Sequence, residues 1–433
     1  MREDIKKRIE AVNRGKVPEG YRVENGYLIP NEWKTVPMNH RFTRSTRKNK
    51  AGCENVLTIS AQMGLVNQRE FYDKDIASDD KSGYFLMKNG EFAYNKSYST
   101  GYPYGAIKQL TKYDEGIVSP LYICFVPKAG TNTAFYTQYF EGGRYNREIY
   151  RVAQEGARNH GLLNVAVEDF FEGTLVEPSA GEQQKIAEIL ATCDRMIDLK
   201  RQLVDEYKKT KRIFLRRLFP MQGKNVPELR FPGFEGEWRK CRLGELSDFI
   251  TKGATPTTYG YQWEASGIPF FRNDSIQENR FVYGEYSFIS ETAHNALSRS
   301  EVKADDILIA ITGDIGKVGI VPKEVLRGNI NQHMARVRII KNALPFFVYQ
   351  YLSTDTMQNI YQVIKTGISM PQLSLEQIRN TEIVLPSLEE QRCIASCLKN
   401  LDEAIELHLQ ELEEVQRQKK TLMQLLLTGL VRV

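Results

Sequence analysis

The sequence predicts an α+β protein: two strand-rich mixed domains joined by two long antiparallel helices that form a coiled-coil spacer, with a pseudo-twofold internal repeat. Three observations carry this. The stretch "PSAGEQQKIAEILATCDRMIDL" from Pro178 returns as "PSLEEQRCIASCLKNLDEAIEL" from Pro386, an offset of 208 residues. Beyond each start the apolar residues recur in alternating steps of four and three, the period of a heptad seam. Outside the two helices the pattern is one of short apolar runs and Gly-rich turns, as strands require.

Taken in order, residues 1–20 form an N-terminal helical segment, whose "MREDIKKRIEAVNRGK" has no apolar centre and is not expected to be a secretory signal. Residues 21–178 form the first block. There "NGEFAYNKSYSTGYPYGAIKQL" from Asn89 alternates aromatic and polar residues, and "GIVSPLYICFVP" from Gly116 predicts a buried strand. Residues 179–222 are the first spacer helix, 223–386 the second block and 387–433 the second spacer helix. In the second block "DDILIAITGDIGKVGIV" from Asp305 predicts strand, tight loop and strand. "GNINQHMARVRII" from Gly328 adds another strand after a polar loop.

The repeat keeps an ungapped register. Glu168 matches Glu376, Pro178 matches Pro386, Ser179 matches Ser387, Glu182 matches Glu390, Gln183 matches Gln391, Asp194 matches Asp402 and Lys211 matches Lys419. Weaker echoes join "RGKVPEG" at Arg14 to "QGKNVPE" at Gln222, and the surroundings of Trp33 to those of Trp238. The first seam runs through Ile186, Leu190, Ile197, Val204, Tyr207, Phe214 and Leu218. The second runs through Ile394, Leu398, Leu401, Ile405, Leu412, Val415, Leu422 and Leu426. Lys200, Lys211, His408 and Lys419 interrupt the seams at equivalent heights, which helps fix register and orientation. Ser179 with Glu182, and Ser387 with Glu390, have capping-box spacing. Each helix, at roughly 38 residues and about 1.5 Å per residue, spans about 60 Å. The alternative is a coiled coil made with another protein's helix.

Composition narrows the function. The 59 basic and 54 acidic residues leave a net charge of +5, which permits a nucleic-acid partner only where the basic residues share a face. No run approaches the roughly eighteen apolar residues of a membrane helix. Six scattered cysteines, Cys393 and Cys397 one helical turn apart among them, read as buried free thiols of a reducing compartment. Gly313, Gly316 and Gly319 do not have the spacing of a nucleotide-binding phosphate loop, and Val318 follows Lys317 where Ser or Thr is needed. "DEAI" at Asp402 lies on the heptad helix with no such loop to serve. No Pro-Pro pair exists for an adenine methyltransferase tetrad, and His40, His160, His294, His333 and His408 show no pairing suited to metal or acid-base work. No catalytic residue and no metal site is predicted; a binding or scaffolding protein is.

The two helices with their "EQ..IA..L" starts, the two unlike blocks, and "ISMPQLSLEQIRNTEIVLPSLEEQ" from Ile368 resemble the DNA-specificity subunit of type I restriction-modification systems over essentially the whole chain. The resemblance implies a non-catalytic, cytoplasmic subunit. Each block would be a target-recognition domain reading one half of a split double-stranded DNA sequence, and the helices would set the gap and dock two modification (methyltransferase) subunits. It implies no cofactor in this chain, with S-adenosylmethionine used by the modification partners and ATP and Mg2+ by restriction/translocase subunits, and no membrane. Chemistry and loop position then select the DNA-contacting candidates. They are Lys96, Ser97, Tyr98, Ser99, Tyr102, Tyr104 and Lys108 in the first block, and Lys252, Thr255, Thr257, Arg272, Asn273, Asp274, Lys317, Asn331, Gln332 and His333 in the second. The other readings are a coiled-coil adaptor that binds proteins only, and the specificity part of a fused restriction enzyme.

Overall fold

The computed structural model describes residues 3–50, 52–60, 63–72, 80–99, 101–153, 163–282, 287–340, 342–367, 369 and 371–433. His160 and Ile368 lie outside the described residues. Helices and short strands are mixed throughout, and two units emerge: Met1–Leu199 with Glu411–Val433, and Lys200–Gln410.

Unit one begins with α1 (Glu3–Asn13), β1 (Tyr21–Glu24), β2 (Tyr27–Pro30), β3 (Lys34–Pro37), β4 (Phe42–Ser45), β5 (Leu57–Ser60), β6 (Gly64–Asn67) and α2 (Gln68–Tyr72). It continues with β7 (Phe85–Lys88), β8 (Phe92–Asn95), β9 (Ala106–Gln109), β10 (Glu115–Val118), β11 (Ile123–Pro127), α3 (Thr133–Glu141), α4 (Asn146–Val152), α5 (Val167–Glu172) and β12 (Thr174–Glu177). β1 and β2 turn at Asn25 and Gly26, both at positive φ, the conformation an Asn-Gly hairpin turn needs. The main sheet is antiparallel in the order β4-β11-β8-β9. Phe42, Phe92 and Phe125 point from three of its strands into one aromatic core; Phe42 meets Phe92 and Phe125 edge-on at 5.6 and 5.2 Å, and Tyr136 of α3 at 5.2 Å. The single strand expected from Gly116 is two, because Tyr122 N–H closes a turn onto Ser119 O at 3.0 Å with Pro120 inside it. β10 then pairs with β7, and β11 with β4 and β8.

Into unit two runs the C-terminal half of α6 (Ala180–Leu218), followed by β13 (Arg239–Arg242), α7 (Leu243–Leu246), β14 (Thr251–Lys252), β15 (Ile268–Phe271), β16 (Ile276–Gln277), β17 (Arg280–Phe281), β18 (Ser287–Ile289) and α8 (Glu291–Ala296). Then come β19 (Glu301–Val302), β20 (Ile307–Ala310), β21 (Val318–Ile320), β22 (Gly328–Ile330), β23 (Met334–Val337), α9 (Pro345–Leu352), α10 (Asp355–Ile364), α11 (Leu375–Arg379), β24 (Glu382–Leu385) and α12 (Leu388–Leu427). Two four-stranded sheets carry the block, β14-β23-β20-β21 and β18-β15-β22-β19. The hairpin expected from Asp305 is β20 and β21, its loop turning through Gly313 and Gly316 at φ of 72° and 86°. The one strand expected from Gly328 is two, β22 and β23, and they join different sheets because Asn331–His333 turns the chain between them.

Each long helix contributes to both units, and each unit holds its own helix contacts. In unit one Ile186 and Leu190 of α6 share a core with Met423, Leu426 and Leu427 of α12. In unit two Leu218 of α6 shares a core with Ile394 and Leu398 of α12, and Tyr207 lies 5.1 Å from the His408 ring. None of the seam positions is exposed. The capping boxes are only half made. Ser179 and Ser387 accept from the amides of Glu182 and Glu390 at 3.3 Å, but both glutamate side chains turn to arginines instead of returning the bond. Arg432 holds Glu182 and Arg230 holds Glu390, each through Nε and a second guanidinium nitrogen. The glutamines beside them donate to the preceding proline carbonyls, Gln183 to Pro178 and Gln391 to Pro386. Among the described residues no helix is long and apolar enough to cross a membrane. All six cysteines are free; Cys124 and Cys241 are buried, whereas Cys393, expected inside, is exposed on α12.

Candidate nucleic-acid interface

In unit one the candidates occupy the connection from β8 to β9. Its base is tied down: Tyr94 Oη donates to Tyr104 O at 2.8 Å, Ser97 N–H donates to Asn95 Oδ1 at 3.1 Å, and Lys96 O accepts from Leu163 N–H at 3.0 Å. Tyr102 N–H donates to Ser99 O at 2.8 Å, which folds the tip back and leaves Tyr98 outside. The structure separates these residues into two groups. Ser97, Tyr98 and Ser99 line a cleft of about 420 Å³. Tyr102 and Lys108 instead converge on Glu141 of α3: the phenol donates to its carboxylate, the ammonium ion-pairs with it, and Lys108 Nζ also lies 4.8 Å from the centre of the Tyr102 ring. Burial first, then the Glu141 charge, pushes the Tyr102 hydroxyl above its ordinary pKa, so it remains a donor. Lys108 is mostly covered, and its charge is answered within the protein. Tyr104 packs edge-on against Tyr150 of α4 at 5.9 Å.

In unit two the candidates gather where three loops meet at the edge of β14-β23-β20-β21. Gly253 lies so close to the chain after β22 that a Cβ there would collide with the carbonyls of Ile330 and Asn331. Only glycine lets these strands meet. Across that contact Thr255 Oγ1 donates to Gln332 Oε1. The Gln332 amide nitrogen lies 3.1 Å from His333 Nε2, and His333 Nδ1 lies 2.6 Å from Thr312 Oγ1. With the amide oriented by Thr255, Nε2 accepts and Nδ1 carries the hydrogen toward Thr312. Asn273 Nδ2 donates to Thr312 O at 2.7 Å, and its Oδ1 is buried without a partner. Arg272 spreads over the Trp263 ring at 5.0 Å while donating to Ser287 Oγ at 2.7 Å. Lys317 pairs with Asp314 at 2.7 Å. Asn331 is buried and accepts from His333 N–H at 3.2 Å. Asp274, Lys252 and Thr257 are exposed at the margins.

Thr255, Asn273, Gln332 and His333 are therefore joined through Thr312, while Lys252 and Thr257 stand apart. Thr312 and Trp263 were missed in the sequence. Thr312 flanks the Gly313 turn and could have been found from that position; nothing local marks Trp263. Amides, hydroxyls and a stacked guanidinium on one rim are the groups that meet base edges and phosphates. Among the described residues no group of three or more His, Cys, Asp or Glu could hold a metal ion.

Comparison with known proteins bears on this arrangement. The family model described as "Type I restriction modification DNA specificity domain" matches residues 235–417. A protein named as the specificity subunit of type I restriction enzyme MjaX, from Methanocaldococcus jannaschii, is 28% identical over 304 residues, covering 69% of this chain and 68% of its own length. The MjaVIII specificity subunit of the same organism is 26% identical over 265 residues, covering 59% of this chain and 61% of its own. The EcoBI specificity subunit of Escherichia coli is 31% identical over 136 residues, covering 31% of this chain and 28% of its own. Among solved structures, a chain from a type I R-M system aligns over 94% of this chain and 100% of its own at a TM-score of 0.56 and 16% identity. A type I restriction-modification S subunit from M. genitalium aligns over 94% of this chain and 97% of its own at 0.54 and 15%; at such identities these two speak for the α+β fold alone. Residues 235–417 of this chain thus resemble the type I restriction modification DNA specificity domain, and the relatives it is similar to are named as specificity subunits of type I restriction enzymes.

Proposed function

We propose that this chain is the sequence-reading subunit of a cytoplasmic type I restriction-modification complex, with each strand-rich block (21–178 and 223–386) reading one half of a split double-stranded DNA target. The helices 179–222 and 387–433 act as an antiparallel coiled-coil spacer, and their repeated surfaces dock two modification subunits under a pseudo-twofold axis. Restriction/translocase subunits complete the complex, and S-adenosylmethionine, ATP and Mg2+ serve those partners. The observation that carries this reading is a clamp made once in each unit. Asp194 receives Lys419 and the Gln138 amide at 2.7 Å, and Asp402 receives Lys211 and the Gln350 amide, each at 2.7 Å. A polar group fixed at one height of a helix seam specifies register, as a spacer of set length needs. Half-sites on one face of a duplex lie about 34 Å apart per helical turn, a distance that helices of 39 and 40 residues can bridge.

Methylated adenines mapped in a host carrying the chain and its modification partner test this. The expected pattern is a single two-part sequence with a fixed gap. Exchanging residues 239–380 for a relative's block should change one half only; a change in both halves overturns the division of labour. Binding that ignores DNA sequence and salt would favour the protein-only adaptor.

A further inference from the structure

The cleft in unit one has a composition that the β8–β9 connection alone does not explain. Around it stand Phe71 and Tyr72 at the end of α2, Tyr98 at the loop tip and Leu121 in the turn before β11. These four are 41%, 43%, 64% and 61% exposed. Four large apolar side chains left in water around one cleft are unusual for a surface and mark a contact site. The same cleft is lined by hydroxyls and an amide, from Ser60, Asn95 and Ser97 among others.

We infer that this cleft receives the 5-methyl group of a thymine in the half-site read by unit one, with Phe71, Tyr72, Tyr98 and Leu121 as the specificity-determining contacts. The inference rests on the proposed function and adds the base. Duplex DNA offers an apolar surface few choices: the sugar-phosphate backbone is charged, and among major-groove base edges only thymine carries an apolar group, its C5 methyl. A flipped, stacked base is the competing occupant, and the ring geometry opposes it. The Phe71 and Tyr72 ring centroids lie 4.7 Å apart, with planes 89° to each other. Perpendicular rings form a corner that fits a methyl group, whereas a base sandwiched between Phe71 and Tyr72 would need their faces parallel. The hydroxyls and amide of the cleft are then available to the neighbouring donors and acceptors of the base edge.

The test uses the full-length chain and duplexes carrying the mapped target, with unit one's half-site identified as the half that survives exchange of residues 239–380. Each thymine of that half is replaced in turn by deoxyuridine, which deletes the methyl and keeps every hydrogen bond. At one position the replacement should weaken wild-type binding about four-fold, the value of one buried methyl group. In L121S and Y98S, both at exposed positions that leave the core intact, the same replacement should cost less than about two-fold. If the wild type discriminates its target but tolerates deoxyuridine at every position, the inference fails while the proposed function stands. If the wild type shows no target preference at all, the proposed function itself fails. An unchanged deoxyuridine penalty in both variants, or variants that keep DNA affinity but no longer assemble with the modification subunit, also overturns the inference; the latter would make the cleft a protein contact.

Discussion

Glu182 and Glu390 occupy the same position of the repeat, yet their surroundings differ in an informative way. Each is a buried carboxylate in the first turn of a long helix, and each is held at two points by an arginine from beyond the end of the other long helix. Glu182 has a further donor, Trp33 Nε1 at 2.8 Å. The equivalent indole in unit two, Trp238 Nε1, is buried without a partner. The arginines also differ: Arg432 reaches Glu32 as well, whereas Arg230 donates to Gly236 O and Glu235 O. What both units keep is the carboxylate and its guanidinium; what they vary is the shell around them. The repeated element is thus an electrostatic joint, placed where the helix N-terminus also favours negative charge.

Breaking the joint should give the largest effect. E182A and E390A each leave a guanidinium next to a buried void, and each should cost about 3 kcal/mol in the unit that holds it. Unit-resolved hydrogen exchange under denaturant would measure this, and losses under about 1 kcal/mol would show that the pair is replaceable. The clamps come next. Asp402 is 19% exposed and Asp194 41%. D402A should therefore cost about 2 kcal/mol and D194A about 1, since exposure lets water replace the lost partner. Equal losses would mean that exposure does not set the value of the clamp.

The indoles sharpen the comparison further. W33F removes a donor from Glu182, whereas W238F removes one that bonds nothing, so W33F should cost about 1 kcal/mol more. Both lose the same ring volume, which makes the difference the readable quantity.

Acid should also separate the two units. At Glu177 in β12 burial works against ionisation, but Arg41 at 2.6 Å and Lys34 at 3.3 Å outweigh it and hold the carboxyl below its ordinary value near 4.5. The position 208 residues on is Leu385, which has no charge to lose. Glu177 therefore adds stability that is complete above about pH 4.5 and disappears as pH falls through its lower folded value. E177Q should lower unit-one stability at neutral pH and flatten its acid limb while unit two is unaffected. An acid limb of unchanged slope would assign the effect elsewhere.

The smallest effects on stability belong to the candidate interface. K317A removes an exposed pair with Asp314 and should change stability by under about 1 kcal/mol. R272A, which also loses contact with Trp263, should cost slightly more. In DNA binding, a residue that touches phosphate should weaken all sequences alike and reduce the salt slope by about one, whereas a base contact should relax specificity. Unchanged affinity and specificity would remove that residue from the interface.

The sequence alone determined the α+β class, the two long helices, their apolar seams and the strand-loop-strand at Asp305, because periodicity and turn residues act over a few neighbours. It misjudged the segments at Gly116 and Gly328, where one expected strand is two that pair with different partners. Only the tertiary structure decided what the charged and polar groups do. Glu182 and Glu390 have capping-box spacing, but their partners arrive from 250 and 160 residues away. Lys108 and Tyr102 look like DNA-facing side chains until α3 brings Glu141 beneath them. The physical reason is range: apolar burial is written into local spacing, whereas a charged side chain takes the best opposite charge that the completed fold brings within reach, and desolvation makes that choice binding.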